Sequence, residues 1–157
     1  MEVKNHTISL LVKNKPDVLA RISGLLSGRG FNIENISANV TMNPDVTKIT
    51  MVTKGDSNTV SKIEKQMQKL VDVIEVTPVR TRTSIQREML LIRLSITRDN
   101  RKEILKAVDE YKGRIVAEGP DYFVIELTGS KKEIDHALVY FEAAGIEDMS
   151  RSGMVVL

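Results

Sequence analysis

The chain has 157 residues, 41% of them hydrophobic and 28% charged, with a net charge of +2. This is the balance of an ordinary globular protein of one or two small domains, and it gives no general attraction for polyanions. The absence of cysteine excludes disulfides, thiolate nucleophiles and cysteine-ligated metals.

The elements can be read in chain order. Ile8, Leu10 and Val12 alternate with Thr7, Ser9 and Leu11, which predicts a strand from Thr7 to Val12. The turn Lys15-Pro16-Asp17 follows. Val18, Ile22, Leu25 and Leu26 then recur at helical spacing until Gly28 and Gly30 end the helix. Phe31 to Met42 and Thr47 to Lys54 read as strands around the Asn43-Pro44-Asp45 turn. Gly55 and Asp56 introduce a second helix, with Val60, Ile63, Met67, Leu70 and Val71 on one face, and Val73 to Val79 closes the unit. Pro78 to Arg87 loses the apolar period and carries Arg80, Arg82 and Arg87, so it reads as a linker.

The same order then repeats. Met89 to Thr97 is a strand, and Asp99 is expected to cap a helix bearing Ile104, Leu105, Val108 and Tyr111. Arg114 to Glu118 and Tyr122 to Thr128 flank the Gly119-Pro120-Asp121 turn. Ser130-x-x-Glu133 fits a capping box ahead of Ile134, Ala137, Leu138 and Phe141, and Ile146 to Val156 supplies the last strand. Strand-helix-strand-strand-helix-strand is the ferredoxin-like split βαβ arrangement. The expected class is therefore α+β, with two ferredoxin-like βαββαβ domains. They span residues 1–79 and 88–157 with a linker at 80–87. Each is an antiparallel sheet with helices on one face, and the other face must be polar or find a partner.

Few residues offer chemistry. His6 begins the first strand and His136 sits on the last helix beside Asp135; neither has a ligand-like or triad-like neighbourhood. Gly24-x-x-x-Gly28-x-Gly30 follows a helix, whereas a phosphate loop precedes one. RNA-binding modules share this element order but stack bases on sheet-face aromatics, and three Phe and three Tyr without paired spacing do not supply them. Lys62, Lys65 and Lys69 lie opposite the apolar face of their helix, as a solvated face would. Nucleic acid is not an expected partner. No apolar run approaches the ~20 residues of a membrane span, and the opening MEVKNHTISLLVKNK has too short an apolar core for a signal peptide. The acceptor-like triplets at Asn5, Asn35 and Asn39 are then chance matches, and a cytoplasmic protein without membrane partners is expected.

The richest segment is NKPDVLARISGLLSGRGFNI, from Asn14 to Ile33. A helix start presents unpaired N–H donors and partial positive charge, which suits a carboxylate. Asn14 and Asn32 flank it with uncharged amides that donate or accept. The arrangement suits a small zwitterion held without reaction.

That segment, together with IEKQMQKLVDVIEV, QREMLLIRL and the closing RSGMVVL, resembles the regulatory (small) subunits of acetolactate synthase, whose first domain is an ACT domain. The resemblance covers nearly the whole chain. It implies a non-catalytic subunit without a cofactor of its own, which activates a catalytic (large) subunit using thiamine diphosphate, Mg2+ and FAD. It further implies feedback control of branched-chain amino-acid synthesis, usually by valine, and a homodimer formed through the ACT domains. A free-standing amino-acid sensor is the alternative. Carried over by position, the effector site comprises Asn14, Pro16, Asp17, Val18 and Leu19, with Asn32 and Ile33 from the neighbouring ACT domain. The family pattern has glycine where this chain has Asp17. A carboxylate there is expected to cap the helix N–H groups and repel the effector, weakening valine binding.

Overall fold

The computed structural model of the chain describes residues 4–79 and 84–157. They form two units: the residues up to Ile85 together with Met154–Leu157, and Gln86–Gly153. Of the linker arginines, Arg80 and Arg82 lie outside the described residues.

The first unit runs β1 (Lys4–Lys13), α1 (Val18–Ser27), β2 (Ile33–Val40), β3 (Val46–Gly55), α2 (Ser57–Met67) and β4 (Val73–Val79). Its antiparallel sheet has the order β2-β3-β1-β4. The alternation read in β1 becomes the division of the sheet into two faces. Ile8 and Leu10 are wholly buried, opposite Met51 and Ile49 of β3. Val18, Ile22 and Leu26 of α1 and Val60, Ile63 and Met67 of α2 complete that core. Each such side chain contributes about 1.5–3 kcal/mol on burial. A one-residue slip of β1 would replace three of them with Thr7, Ser9 and Leu11, so packing fixes the register.

Helix α1 ends where the glycines suggested. Gly30 has φ +71°, its N–H donates to Ser27 O at 3.0 Å, and the Phe31 N–H donates to Leu26 O at 3.0 Å. This paired closure needs a left-handed residue that glycine supplies without a Cβ clash. It turns the chain directly into β2.

The second unit repeats the plan with β5 (Gln86–Ser95), α3 (Arg101–Glu110), β6 (Arg114–Glu118), β7 (Tyr122–Gly129), α4 (Lys131–Ala143) and β8 (Ile146–Arg151). The strands run in the order β6-β7-β5-β8. Leu90, Ile92, Leu94, Phe123, Ile125 and Phe141 are central to its core. The Ser130–Glu133 capping box is present in both directions.

Three expectations need correction. Asp99 does not cap α3; Asn100 occupies that position, and its Oδ1 accepts the Thr97 N–H at 2.8 Å while the Asn100 N–H donates to Thr97 Oγ1. The reciprocal Thr97–Asn100 turn outcompetes a cap one residue earlier. The linker is shorter than read, because Pro78 and Val79 belong to β4 and Gln86 and Arg87 to β5. The last strand is interrupted: β8 stops at Arg151 and a two-residue strand, β9 (Val155–Val156), follows it within Met154–Leu157, which belongs with the first unit. Met154 and Val156 are buried with Val52 on the sheet face opposite the helices, where Val79 joins them. An apolar tail seeks apolar cover, and Val52 and Val79 are what the helix-free face offers.

Glu88, in β5, is 3% exposed and receives Arg151 Nε on Oε2 at 2.6 Å. Arg151 also reaches Asp135 Oδ1 at 2.8 Å, and Lys131 reaches Asp135 Oδ2 at 2.6 Å. Burial raises the Asp135 carboxyl, but the bonds from Lys131 and Arg151 outweigh it and hold the group below its ordinary value. Arg151→Met would strand the buried Glu88 charge, so urea unfolding should show a loss of about 3 kcal/mol. A midpoint shift below about 0.5 kcal/mol equivalent would contradict this account.

Candidate functional site

The site begins where β1 ends. The Asn14 N–H donates to Asp45 O at 2.8 Å, Nδ2 donates to Pro44 O at 2.8 Å, and Oδ1 accepts from Thr47 Oγ1 at 3.1 Å. Asn14 therefore locks the start of the turn to the β2–β3 hairpin. Pro16 is exposed, Val18 is 3% exposed and anchors α1 in the core, and Leu19 beside it is 42% exposed.

Asp17 stands at the N-cap of α1, but it does not cap the helix. Its backbone is helical (φ −90°, ψ −10°), which turns the side chain away from the first-turn amides. Asp56 at the start of α2 shows the contrast: with an extended backbone (φ −84°, ψ 169°), its carboxylate accepts the Thr59 N–H at 2.7 Å. The Asp17 carboxylate pairs instead with Arg21, one turn along the helix. The expected capping of the helix start by Asp17 is thus overturned. Among the described residues no side chain caps the first-turn N–H groups, of which that of Val18 donates to Lys15 O at 3.3 Å, and the Asp17 charge has a partner.

On the other side of α1, Asn32 Nδ2 donates to Glu34 Oε1 at 2.8 Å, and the Asn32 carbonyl accepts from Thr53 Oγ1 at 2.9 Å. Ile33 is half-buried against the core. Pro16 to Leu19 are contiguous at the helix start. No hydrogen bond or ion pair among the described residues joins Asn14 to Asn32 or Ile33 within one chain.

Sequence reasoning missed the charges around the turn. Asp72, just before β4, is 5% exposed. It accepts Lys15 Nζ at 2.9 Å and Arg21 Nη1 at 3.2 Å, with Lys13 Nζ at 3.9 Å. The Lys13 N–H also donates to the Asp72 carbonyl at 2.8 Å. Among the described residues three cations, Lys13, Lys15 and Arg21, thus pair with two carboxylates, Asp17 and Asp72, an excess of one positive charge in this cluster. Only Asp17 and Arg21, four apart, were visible as a pair; Asp72 lies too far along the chain to be placed without the fold.

The Lys15 hydrogen bond, helped by the charges of Lys15, Lys13 and Arg21, holds the Asp72 carboxyl below its ordinary 3.8 despite burial. A carboxyl depressed in the folded state contributes stability that is complete above its unfolded value and lost as pH falls through the folded one. The unaltered chain should therefore lose stability from about pH 4 downward, and Asp72→Asn should flatten that acid limb while lowering stability at neutral pH. Urea midpoints across the range check this; parallel limbs would rule it out.

Elsewhere, His136 Nδ1 and the Tyr111 hydroxyl lie 3.0 Å apart in an aromatic group with Tyr140 and Phe141. Among the described residues no His, Asp and Glu gather in a group that could hold a metal ion, and no helix is long and apolar enough to cross a membrane.

Known proteins share this architecture. Residues 8–75 match the family described as the AHAS small subunit-like ACT domain, and residues 87–157 match the family described as the small subunit of acetolactate synthase. A probable acetolactate synthase small subunit of Archaeoglobus fulgidus is 38% identical over 97% of this chain and 95% of its own. Another from Methanothermobacter thermautotrophicus is 36% identical over 98% and 92%. The crystal structure of the acetolactate synthase small subunit from Thermotoga maritima superposes with a TM-score of 0.90 at 31% identity, covering 98% of this chain and 96% of that one.

Proposed function

This chain belongs to the acetolactate synthase small-subunit family, and we propose that it is the non-catalytic regulatory partner of that enzyme's catalytic subunit. In this reading the catalytic subunit carries the chemistry in the cytoplasm, with thiamine diphosphate, Mg2+ and FAD. The present chain raises its activity and makes it answer to a branched-chain amino acid, valine first.

One observation supports this above the others: the start of α1 has first-turn N–H groups free of any side-chain cap, set among cations that outnumber the carboxylates. Such a place suits the carboxylate of a free amino acid. Leu19 and Ile33 would line its branched side chain, and Asn14 and Asn32 would orient the zwitterion. The family resemblance implies that the Asn32–Ile33 wall comes from a second copy, and the separate partners of Asn14 and Asn32 within one chain are compatible with that. Strand β2 is an edge strand with Ile36 and Val40 partly exposed, 37% and 54%. Pairing two copies along β2 would satisfy that edge and bury those residues.

Reconstitution with the catalytic subunit tests the reading. Acetolactate formation should rise when this chain is added and fall when valine follows, with leucine and isoleucine as comparators. No co-purification and no stimulation would leave a free-standing sensor instead.

The pairing of Asp17 with Arg21 gives a finer test. An exposed ion pair of this kind contributes little on its own, and its charges largely cancel for a nearby ligand. Asp17→Gly should shift the valine Kd by less than about fivefold. Arg21→Ala, which leaves Asp17 and Asp72 less compensated, should weaken binding more than Asp17→Gly changes it. Calorimetry with the two variants decides; the reverse ranking would return the obstruction to Asp17.

A further inference from the structure

The tail has contacts too specific for loose cover. The Met154 N–H donates to Asn35 Oδ1 at 2.9 Å, Thr7 Oγ1 lies 3.8 Å from Met154 Sδ, and Lys48 Nζ donates to Val156 O at 2.8 Å. Ile85 and Leu157 exchange both backbone hydrogen bonds, at 2.8 and 3.0 Å. Met154 is 3% exposed and Val156 8%, so the segment is seated as core.

Asn35 is the informative partner. The β2–β3 ladder loses register between Ile33 and Asn35, leaving Glu34 bulged. A bulge at an edge strand interrupts the ladder and needs other bonds to hold its shape. Two side-chain pins flank this one. Thr53 Oγ1 donates to the Asn32 carbonyl on one side, and the Asn35 side chain takes the Met154 N–H on the other. Between the two pinned residues lie Ile33 and the bulged Glu34, so the pins bracket Asn32 and Ile33, the wall assigned above to the effector. Ser152, just before the tail, is itself fixed: its N–H donates to Met89 O at 2.9 Å and its Oγ accepts the Met89 N–H at 2.8 Å.

We propose that Met154–Leu157 is a positioning strap, which sets the bulged start of β2 through Asn35 and so tunes the Asn32–Ile33 wall of the amino-acid site. The proposal rests on the effector reading for its consequence, though its structural half stands apart from it. Asn35 acts through the bulge and touches no ligand; it is a positioning residue. The tail also makes the chain pass between the units a second time, after Gly153 as well as after Ile85. A change in the seat of Met154 is therefore a change in the segment that follows β8.

Four full-length proteins and one shortened chain test this: the unaltered chain, Asn35→Ala, Asn35→Asp, Met154→Ala, and a chain ending at Gly153. Amide hydrogen exchange is read first, without any amino acid. Asn35→Ala and the shortened chain should exchange the amides from Ile33 to Ser37 about fivefold faster, the size of one lost hydrogen bond. Met154→Ala keeps the N–H but loses its seat and should fall between them and the unaltered chain. Asn35→Asp still presents an acceptor to Met154 and should stay near the unaltered chain. Valine affinity, by calorimetry, should weaken in the same order. Unchanged exchange in both Asn35→Ala and the shortened chain would overturn the strap. So would an Asn35→Asp chain as fast as Asn35→Ala, or faster exchange with unchanged valine affinity. If the unaltered chain binds no valine, the effector reading fails on that result, and exchange alone still decides whether the tail holds β2.

Discussion

The central strand β1 is the constraint on which the first unit depends. It pairs with β3 on one side and β4 on the other, so its register becomes the register of the sheet. Its side chains alternate between a buried row, Ile8, Leu10 and Val12, and a row on the helix-free face, Thr7, Ser9 and Leu11. Because a strand's period is two, no compromise register exists. Once the buried row has claimed both helices, the exit of β1 is fixed in direction. The Asn14–Asp17 turn then starts α1 at one place, beside Asp72 at the entry to β4.

From that geometry follows a site made mostly of backbone. The groups proposed to face the effector are the amides of a helix start, and the charged side chains around them bind one another. Lys15, Arg21 and Asp72 tie the turn to β4, Asn14 ties it to the β2–β3 hairpin, and Val18 roots the helix in the core. A site that senses a ligand and releases it unchanged, as proposed for this one, needs no strongly shifted base or nucleophile. Allosteric control asks only that the ligand stabilise one arrangement over another. A site anchored to three separate strands is placed to report such a difference.

The helix-free face has the complementary problem. In a two-layer fold it must be polar or covered. Ser9, Thr50 and Thr77 make part of it polar, while Val52 and Val79 are covered by Met154 and Val156. The tail is thus a consequence of the same alternation that built the core: a β1 register that puts Ile8 inward sets Val52 outward, and something apolar must meet it.

The order of elements, the two-domain plan, the Gly30 closure and the Ser130–Glu133 box were legible in the sequence, because each depends on neighbours within a few residues. Periodicity of 2 or 3.6, a left-handed glycine and a capping pair are local signals. The segment from Asn14 to Ile33 was likewise legible as a helix start between two amides. What the sequence could not decide was orientation and distance. Asp17 was a reasonable cap by residue type, yet its φ and ψ, set by how α1 docks, turned its carboxylate to Arg21. Asp72 and Met154 lie 51 residues or more from the groups they hold. Their partnerships exist only because β4 and the chain's end return to β1 and β2, and no local period records a return. Local chemistry wrote the elements; long-range packing chose which charges meet and which face the tail covers.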